Sequence, residues 1–193
     1  MKTILIVYHS LTGGTRQMAD AAAREAQAQT DVQVHLLQAT KAGPEDVLNA
    51  DGYIFATPEN LAAMAGIMKD FFDRTYSPVL DRITGRPYAI LICAGSDGQN
   101  AARQIERIAT GWRLRAIADP IIVCTHAQTP EAIFAPKSIS ARELRRCVRP
   151  AASGIDRRPA PRGGSPAGWQ LFECWIHRSA APLLLAGCLL RKC

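Results

Sequence analysis

The sequence predicts an α/β protein, a parallel sheet with helices on both faces, and three observations carry that prediction. Apolar runs rich in β-branched residues recur at residues 3–8, 52–56, 88–93 and 121–124, with too little polar alternation for strands that face water on one side. Segments with helical character separate them, which is the βαβ alternation of a doubly wound sheet. The first, third and fourth runs each open into a loop of glycine and small polar residues. Open sheets of this kind take their ligands outside the carboxyl ends of the strands. A chain of 193 residues is long enough for one such domain with a sizeable core.

The first strand, over residues 3–8, leads into Ser10-Leu11-Thr12-Gly13-Gly14-Thr15, and residues 16–26 contain no Gly or Pro and are rich in Ala, so a helix follows the loop at once. A strand-to-helix loop presents free backbone N–H groups and the positive end of a helix dipole, and the three hydroxyls add donors. The loop therefore reads as a phosphate cradle. It lacks the Gly-Lys-Ser/Thr ending of a nucleoside-triphosphate loop, with no lysine between Lys2 and Lys41, and it lacks the Gly-x-Gly-x-x-Gly dinucleotide fingerprint. A hydroxyl-rich loop without a cation suits a single phosphomonoester. Ser10-x-Thr12-Gly13-x-Thr15 resembles the FMN phosphate loop of the flavodoxin family, Ser/Thr-x-Thr-Gly-x-Thr after the first strand.

Residues 32–37 alternate and then turn apolar, as a strand near a sheet edge does, with His35 on the polar side. Pro44, Glu45 and Asp46 suit the first turn of a short helix. The third strand, residues 52–56, ends in Thr57-Pro58-Glu59-Asn60, which reads as a turn. A helix is then expected over residues 61–76, with Met64, Ile67, Met68, Phe71 and Phe72 on one buried face and Pro78 forbidding continuation. The fourth strand, residues 88–93, opens into a loop over residues 94–100, and a helix follows over residues 101–110. Residues 112–117 alternate and residues 121–124 are apolar, a fifth strand split around Asp119-Pro120, with His126 just beyond it near the ligand end. Ser140-Ala141-Arg142-Glu143 is a capping box that starts the last helix.

The block from Thr57-Pro58 to Met68-Lys69-x-Phe71-x-Asp73-Arg74 is similar to the third loop and helix of the same family. The resemblance covers residues 1–146 and implies a flavodoxin-like three-layer sandwich: a five-stranded parallel sheet of order 2-1-3-4-5, with FMN at the switch between strands 1 and 3. In it Ser10, Leu11, Thr12, Gly13, Gly14 and Thr15 hold the phosphate. Thr57, Pro58, Glu59 and Asn60 border the isoalloxazine ring, and Ala94, Gly95, Ser96 and Gly98 cover its other side and bond its pyrimidine edge. The implied function is an FMN-dependent oxidoreductase that takes hydride from NAD(P)H and reduces a small acceptor such as a quinone. The alternative is a flavodoxin-type electron carrier serving a redox partner protein. Carriers sandwich the ring between aromatics, and neither residues 57–61 nor residues 94–99 contain one, which leaves room for nicotinamide. A flavin-free interaction module is the third reading. No side chain stands out as a catalytic acid or base, and a flavin requires none.

The net charge of +6 is unevenly spread: residues 1–140 balance at −1 and residues 141–193 at +7. The basic tail carries no nucleic-acid module and no interleaving of aromatic and basic residues, so no nucleic-acid partner is expected. No apolar stretch approaches the length of a membrane span and no signal peptide is recognisable, so a cytoplasmic location is expected. The six cysteines show no metal-ligand spacing and read as reduced thiols; no metal is expected. From residue 147 onward the chain is a Pro-, Arg- and Cys-rich mixture without period. That composition fits an out-of-frame translation of a GC-rich gene; the rival is a basic linker followed by an apolar anchor over residues 182–190. In the first case sheet surface is left uncovered and the chain is prone to form homo-oligomers.

Overall fold

The computed structural model describes residues 1–152. The remaining tail, with Cys174, Cys188, Cys193 and the apolar segment over residues 182–190, lies outside the described residues. In chain order the elements are β1 (Lys2–Tyr8), α1 (Gly14–Gln27), β2 (Val32–Gln38), α2 (Pro44–Asn49), β3 (Gly52–Asn60), β4 (Ala63–Met64), α3 (Gly66–Val79), β5 (Pro87–Ala94), α4 (Gln99–Gly111), β6 (Arg115–Ala116), β7 (Ile121–Cys124), α5 (Pro130–Phe134) and α6 (Ala141–Ala152).

The sheet runs β2-β1-β3-β5-β6 with parallel pairing, and β7 continues on the β5 edge where β6 stops. β6 pairs Pro87 and Tyr88 at the start of β5, and β7 pairs Leu91 to Ala94 at its end. The order is the expected one, with the fifth position divided at Asp119-Pro120, where proline has no N–H to give a ladder. Residues 112–114 are not part of that strand. Trp112 closes α4, and its indole is fully buried among aromatic rings.

Alternation along the parallel strands sends side chains into two separate cores. Leu5, Val7, Tyr53, Phe55, Ile90 and Ile92 face α2, α3 and α4. There Phe55 meets Phe72 edge to face at 5.0 Å and Trp112 stacks on Tyr76 at 6.0 Å. Each such pair adds about 1 kcal/mol beyond the area it buries. Ile4, Ile6, Ile54, Leu91 and Val123 face α1 and α6, where Met18, Ala19, Ala22, Ala23 and Ala26 allow close helix-to-sheet contact and Cys147 is buried.

Three boundaries differ from the expectation. Residues 57–60 are not a turn but the end of β3, and the chain reverses at Leu61-Ala62 into β4, which pairs antiparallel with β3 through Glu59–Met64 and Asn60–Ala63. The helix expected from residue 61 therefore starts at Gly66. Met64 is on β4 and Ile67 is 39% exposed, so the buried face of α3 is Met68, Phe71, Phe72, Thr75 and Val79. Pro78 lies inside the last turn of α3, where its missing N–H removes one bond without ending the helix.

Candidate functional site

A cavity of about 430 Å³ opens at the carboxyl ends of β1, β3 and β5, within the size range of small-molecule sites. Ser10, Leu11, Thr12 and Thr15 line one part of it. Pro58, Glu59 and Asn60 line a second part, and Ala94, Gly95 and Ser96 a third. Of the fourteen positions singled out in the sequence, Gly13, Gly14, Thr57 and Gly98 do not line it. They shape the segments that do.

At the β1 end the backbone does most of the work. Gly13 takes φ +88° and its N–H donates to Ser10 Oγ at 3.1 Å, which folds the loop back on itself. Helix α1 begins at Gly14 with no side-chain cap and no acidic residue in its first turn, and Arg16 stands there instead. The start of α1, whose Thr15 lines the cavity, thus carries the positive end of a helix dipole with no acidic residue in its first turn to offset it. A Cβ on Gly14 would lie 2.6 Å from Cys93 Sγ and 3.2 Å from Lys137 Cβ, so the loop tolerates no larger residue there.

This loop is stitched to a segment about 120 residues away. Lys137 N–H donates to Thr12 O at 2.8 Å, Gln17 Nε2 donates to Lys137 O at 2.6 Å, and Ile139 N–H donates to Gln17 Oε1 at 3.1 Å. The loop that looked cation-free in the sequence therefore has an ammonium beside it: Lys137 lines the cavity, and its Nζ donates to the carbonyls of Ala132, Ile133 and Ala135 at the end of α5. Under the loop, Cys93 is hydrogen-bonded to the side chain of Thr15. Burial raises the Cys93 pKa, which the nearby Lys137 charge partly offsets.

At the β3 end the geometry rests on side chains. Glu59 Oε2 accepts the Gly98 N–H at 2.7 Å, at the uncapped start of α4. Its other carboxyl oxygen, Oε1, is buried without a partner, and it is the only such side-chain atom among the described residues. A buried acceptor left unpaired costs on the order of 1–3 kcal/mol, so a donor from a ligand would be rewarded here. Thr57 points away from the cavity; its Oγ1 donates to Pro58 O and accepts from Ala65 N–H at 3.3 Å, which fixes the start of α3.

The hairpin beyond Glu59 is strained. Leu61 and Ala62 have φ +50° and +57°, a two-residue reversal that normally calls for Asn-Gly. α4 holds it in place: Asn100 Nδ2 donates to Ala62 O at 2.5 Å and Gln104 Oε1 accepts from Met64 N–H at 3.0 Å. His126, φ +54°, is also left-handed, and its N–H donates to Gly95 O at 2.8 Å. It does not line the cavity, although its near neighbours Thr125 and Ala127 do. Half-buried His9, just before the loop, has its pKa lowered by desolvation.

Sequence reasoning missed Lys137, Ile133 and Phe134, which line the cavity from a segment with no periodicity, and missed Asn100 and Gln104 as supports. Only a fold places them.

Residues 38–129 match the family model described as NADPH-dependent FMN reductase. A protein named NAD(P)H dehydrogenase (quinone) from Acidithiobacillus ferrooxidans is 36% identical over 95 residues, covering 39% of this chain and 48% of that one. A flavodoxin from Aquifex aeolicus is 34% identical over 86 residues, covering 45% and 46%. The described residues have a flavodoxin-like fold. A solved archaeal flavodoxin superposes with a TM-score of 0.63 over 78% of this chain and 94% of its own, at 19% identity. This flavodoxin-like chain spans about half the length of the curated relatives it matches. Among its described residues no helix is long and apolar enough to cross a membrane, and no cluster of three His, Cys, Asp or Glu side chains could hold a metal.

Proposed function

We propose that the cavity binds FMN and that the protein is an FMN-dependent oxidoreductase that accepts hydride from NAD(P)H and passes electrons to a small acceptor such as a quinone. The observation that carries this reading is Glu59, a lining residue with one buried carboxyl oxygen left without a partner, in the same cavity as the Ser10–Thr15 loop at the uncapped start of α1. One molecule with a phosphomonoester at one end and a ring N–H at the other answers both needs. FMN has both.

In this reading Ser10, Thr12, Gly13, Gly14 and Thr15 hold the phosphate through backbone N–H groups and hydroxyls, and Lys137 adds a positive charge beside them. Glu59 accepts the imide N–H of the ring. Pro58, Asn60, Ala94, Gly95 and Ser96 bound the ring and exclude water from it. When bound, FMN supplies the hydride and single-electron chemistry. The chain orients it, and no side chain is assigned as a catalytic acid or base. A flavodoxin-type carrier is the second reading, and one observation favours it: Phe134 lines the cavity, so an aromatic is available to shield the ring.

The test is a visible absorption spectrum of the purified protein, before and after FMN is added, followed by NADPH in the same cuvette. Shifted flavin bands that bleach within the mixing time or shortly after support the oxidoreductase. Shifted bands that persist point to the carrier. Bands identical to those of free FMN overturn both readings.

A further inference from the structure

Gln17 stands half-buried near the start of α1, and its side-chain amide is fully used. Nε2 donates to Gly13 O at 3.1 Å and to Lys137 O at 2.6 Å, and Oε1 accepts the Ile139 N–H at 3.1 Å. Two carbonyls and one N–H as partners fix which way the amide points. Gly13 O also accepts the backbone Gln17 N–H at 3.1 Å, so the first turn of α1 closes without the side chain. What the side chain adds is a link between the Ser10–Thr15 loop and residues 137–139. A main-chain bond, Lys137 N–H to Thr12 O at 2.8 Å, joins the same two segments, and buried Ile139 sits in the core that holds Met18 and Cys147. The Lys137 side chain is itself engaged, because Nζ donates to the carbonyls of Ala132, Ile133 and Ala135. An ammonium has three protons to give, and these three bonds use them. Such a charge acts on an anion through its field, so its effect depends on where the backbone of residue 137 is held.

We propose that Gln17 is the positioning residue of the phosphate site: it clasps residues 137–139 to the Ser10–Thr15 loop, so that the Lys137 charge and the loop N–H groups serve one phosphomonoester. The proposal rests on the FMN reading of the same cavity. Gln17 does not line the cavity, whereas Ser10, Thr12, Thr15 and Lys137 do. It therefore acts through its neighbours and touches no ligand. Its three side-chain bonds all go to the loop and to residues 137–139. Its loss is felt by the phosphate and not by the ring.

The experiment titrates FMN and riboflavin, which lacks the phosphate, into the full chain and into Gln17→Met, Lys137→Met and the double variant. Methionine keeps the length and the helix propensity of glutamine and makes none of its bonds. Gln17→Met is expected to weaken FMN binding about tenfold, the order of effect of displacing one charge beside a phosphate, and to leave riboflavin binding unchanged. Lys137→Met is expected to do the same. The double variant is expected to lose no more than Lys137→Met alone, because Gln17 acts through Lys137. If Gln17→Met weakens FMN and riboflavin equally, Gln17 only supports the fold and the proposal is overturned. A double variant whose loss is the product of the two single losses overturns it as well. A second measurement needs no variant: hydrogen exchange at the Lys137 and Ile139 amides of the unmodified chain should slow severalfold with FMN and stay the same with riboflavin, and equal slowing by both contradicts the clasp. If the unmodified chain binds FMN no more tightly than riboflavin, the FMN reading falls and the proposal with it. If that preference stands and Gln17→Met retains it in full, the proposal alone falls.

Discussion

The two ends of the cavity are built in opposite ways. At the Ser10–Thr15 loop the chain uses mostly backbone: a left-handed glycine, the start of α1 and a main-chain bond from Lys137 to Thr12, buttressed by the Gln17 side chain, which bonds Lys137 and Ile139. At the end of β3 it uses side chains and strain: Glu59 with one oxygen unpaired, and Leu61 and Ala62 in left-handed conformations with Leu61 exposed. The first end is preorganised and the second holds unspent interactions. In the proposed FMN reading the difference separates affinity from specificity: an anion of many kinds would fit the first, and a ring with an N–H donor would satisfy the second.

Breaking each end in turn sharpens that contrast. The largest effect is expected from Gly14→Val, which forces side-chain atoms onto Cys93 Sγ and Lys137; FMN binding should fall by more than about 100-fold, with stability lower by roughly 2 kcal/mol from overpacking. Equilibrium dialysis and thermal melting check it. At the other end, Gly98→Ala puts a Cβ on a residue at φ +85° and 2.6 Å from Ile122 Cγ2. A loss of about 2 kcal/mol or more is expected, read by urea denaturation. Glu59→Gln keeps an oxygen for Gly98 N–H but turns the unpaired acceptor into a donor. FMN affinity should drop about 10- to 30-fold with little change in inorganic phosphate binding, a separation that a titration with each ligand measures.

The strand, loop and helix at the β1 end were legible in the sequence, because a buried strand, a Gly-Gly hydroxyl loop and an Ala-rich helix are local features with local rules. The β3 end was legible only in part. Glu59, Asn60, Ala94 and Gly95 do line the cavity, but residues 57–60 looked like a turn when they continue β3, since the true reversal at Leu61-Ala62 carries neither of the residues such a turn prefers. Local pattern lost there to tertiary bonds from Asn100 and Gln104. Lys137 and Phe134 were invisible for a different reason: they act through a connection of about 120 residues and carry no period or motif. Their absence from the sequence reading is what made the loop look cation-free and the cavity look free of aromatic side chains.

The hairpin gives a smaller and opposite effect. Replacing Leu61-Ala62 by Asn-Gly should stabilise the fold by about 1 kcal/mol, since it relieves two left-handed non-glycine residues, and should leave phosphate binding intact. A melting curve above that of the unmodified chain is the expected result. The smallest effect is a pH dependence. Burial lowers the His9 pKa below the ordinary histidine value of 6.5, so the unfolded chain takes up a proton that the folded chain refuses. Stability should therefore be level above that value and decline as pH falls below it, until the folded His9 also protonates. Melting temperature against pH, compared with His9→Gln, should show the decline flattened in the variant.

The central claim is that both ends of the cavity act on one molecule. Its most direct measurement is a set of three titrations of the full chain, with FMN, with riboflavin, which has the ring but no phosphate, and with inorganic phosphate. FMN should bind at least about 100-fold more tightly than either fragment, because joining two weak ligands spares the second its loss of translational freedom. FMN binding no tighter than riboflavin would mean that the Ser10–Thr15 loop holds no phosphate of this ligand, and the claim would be wrong.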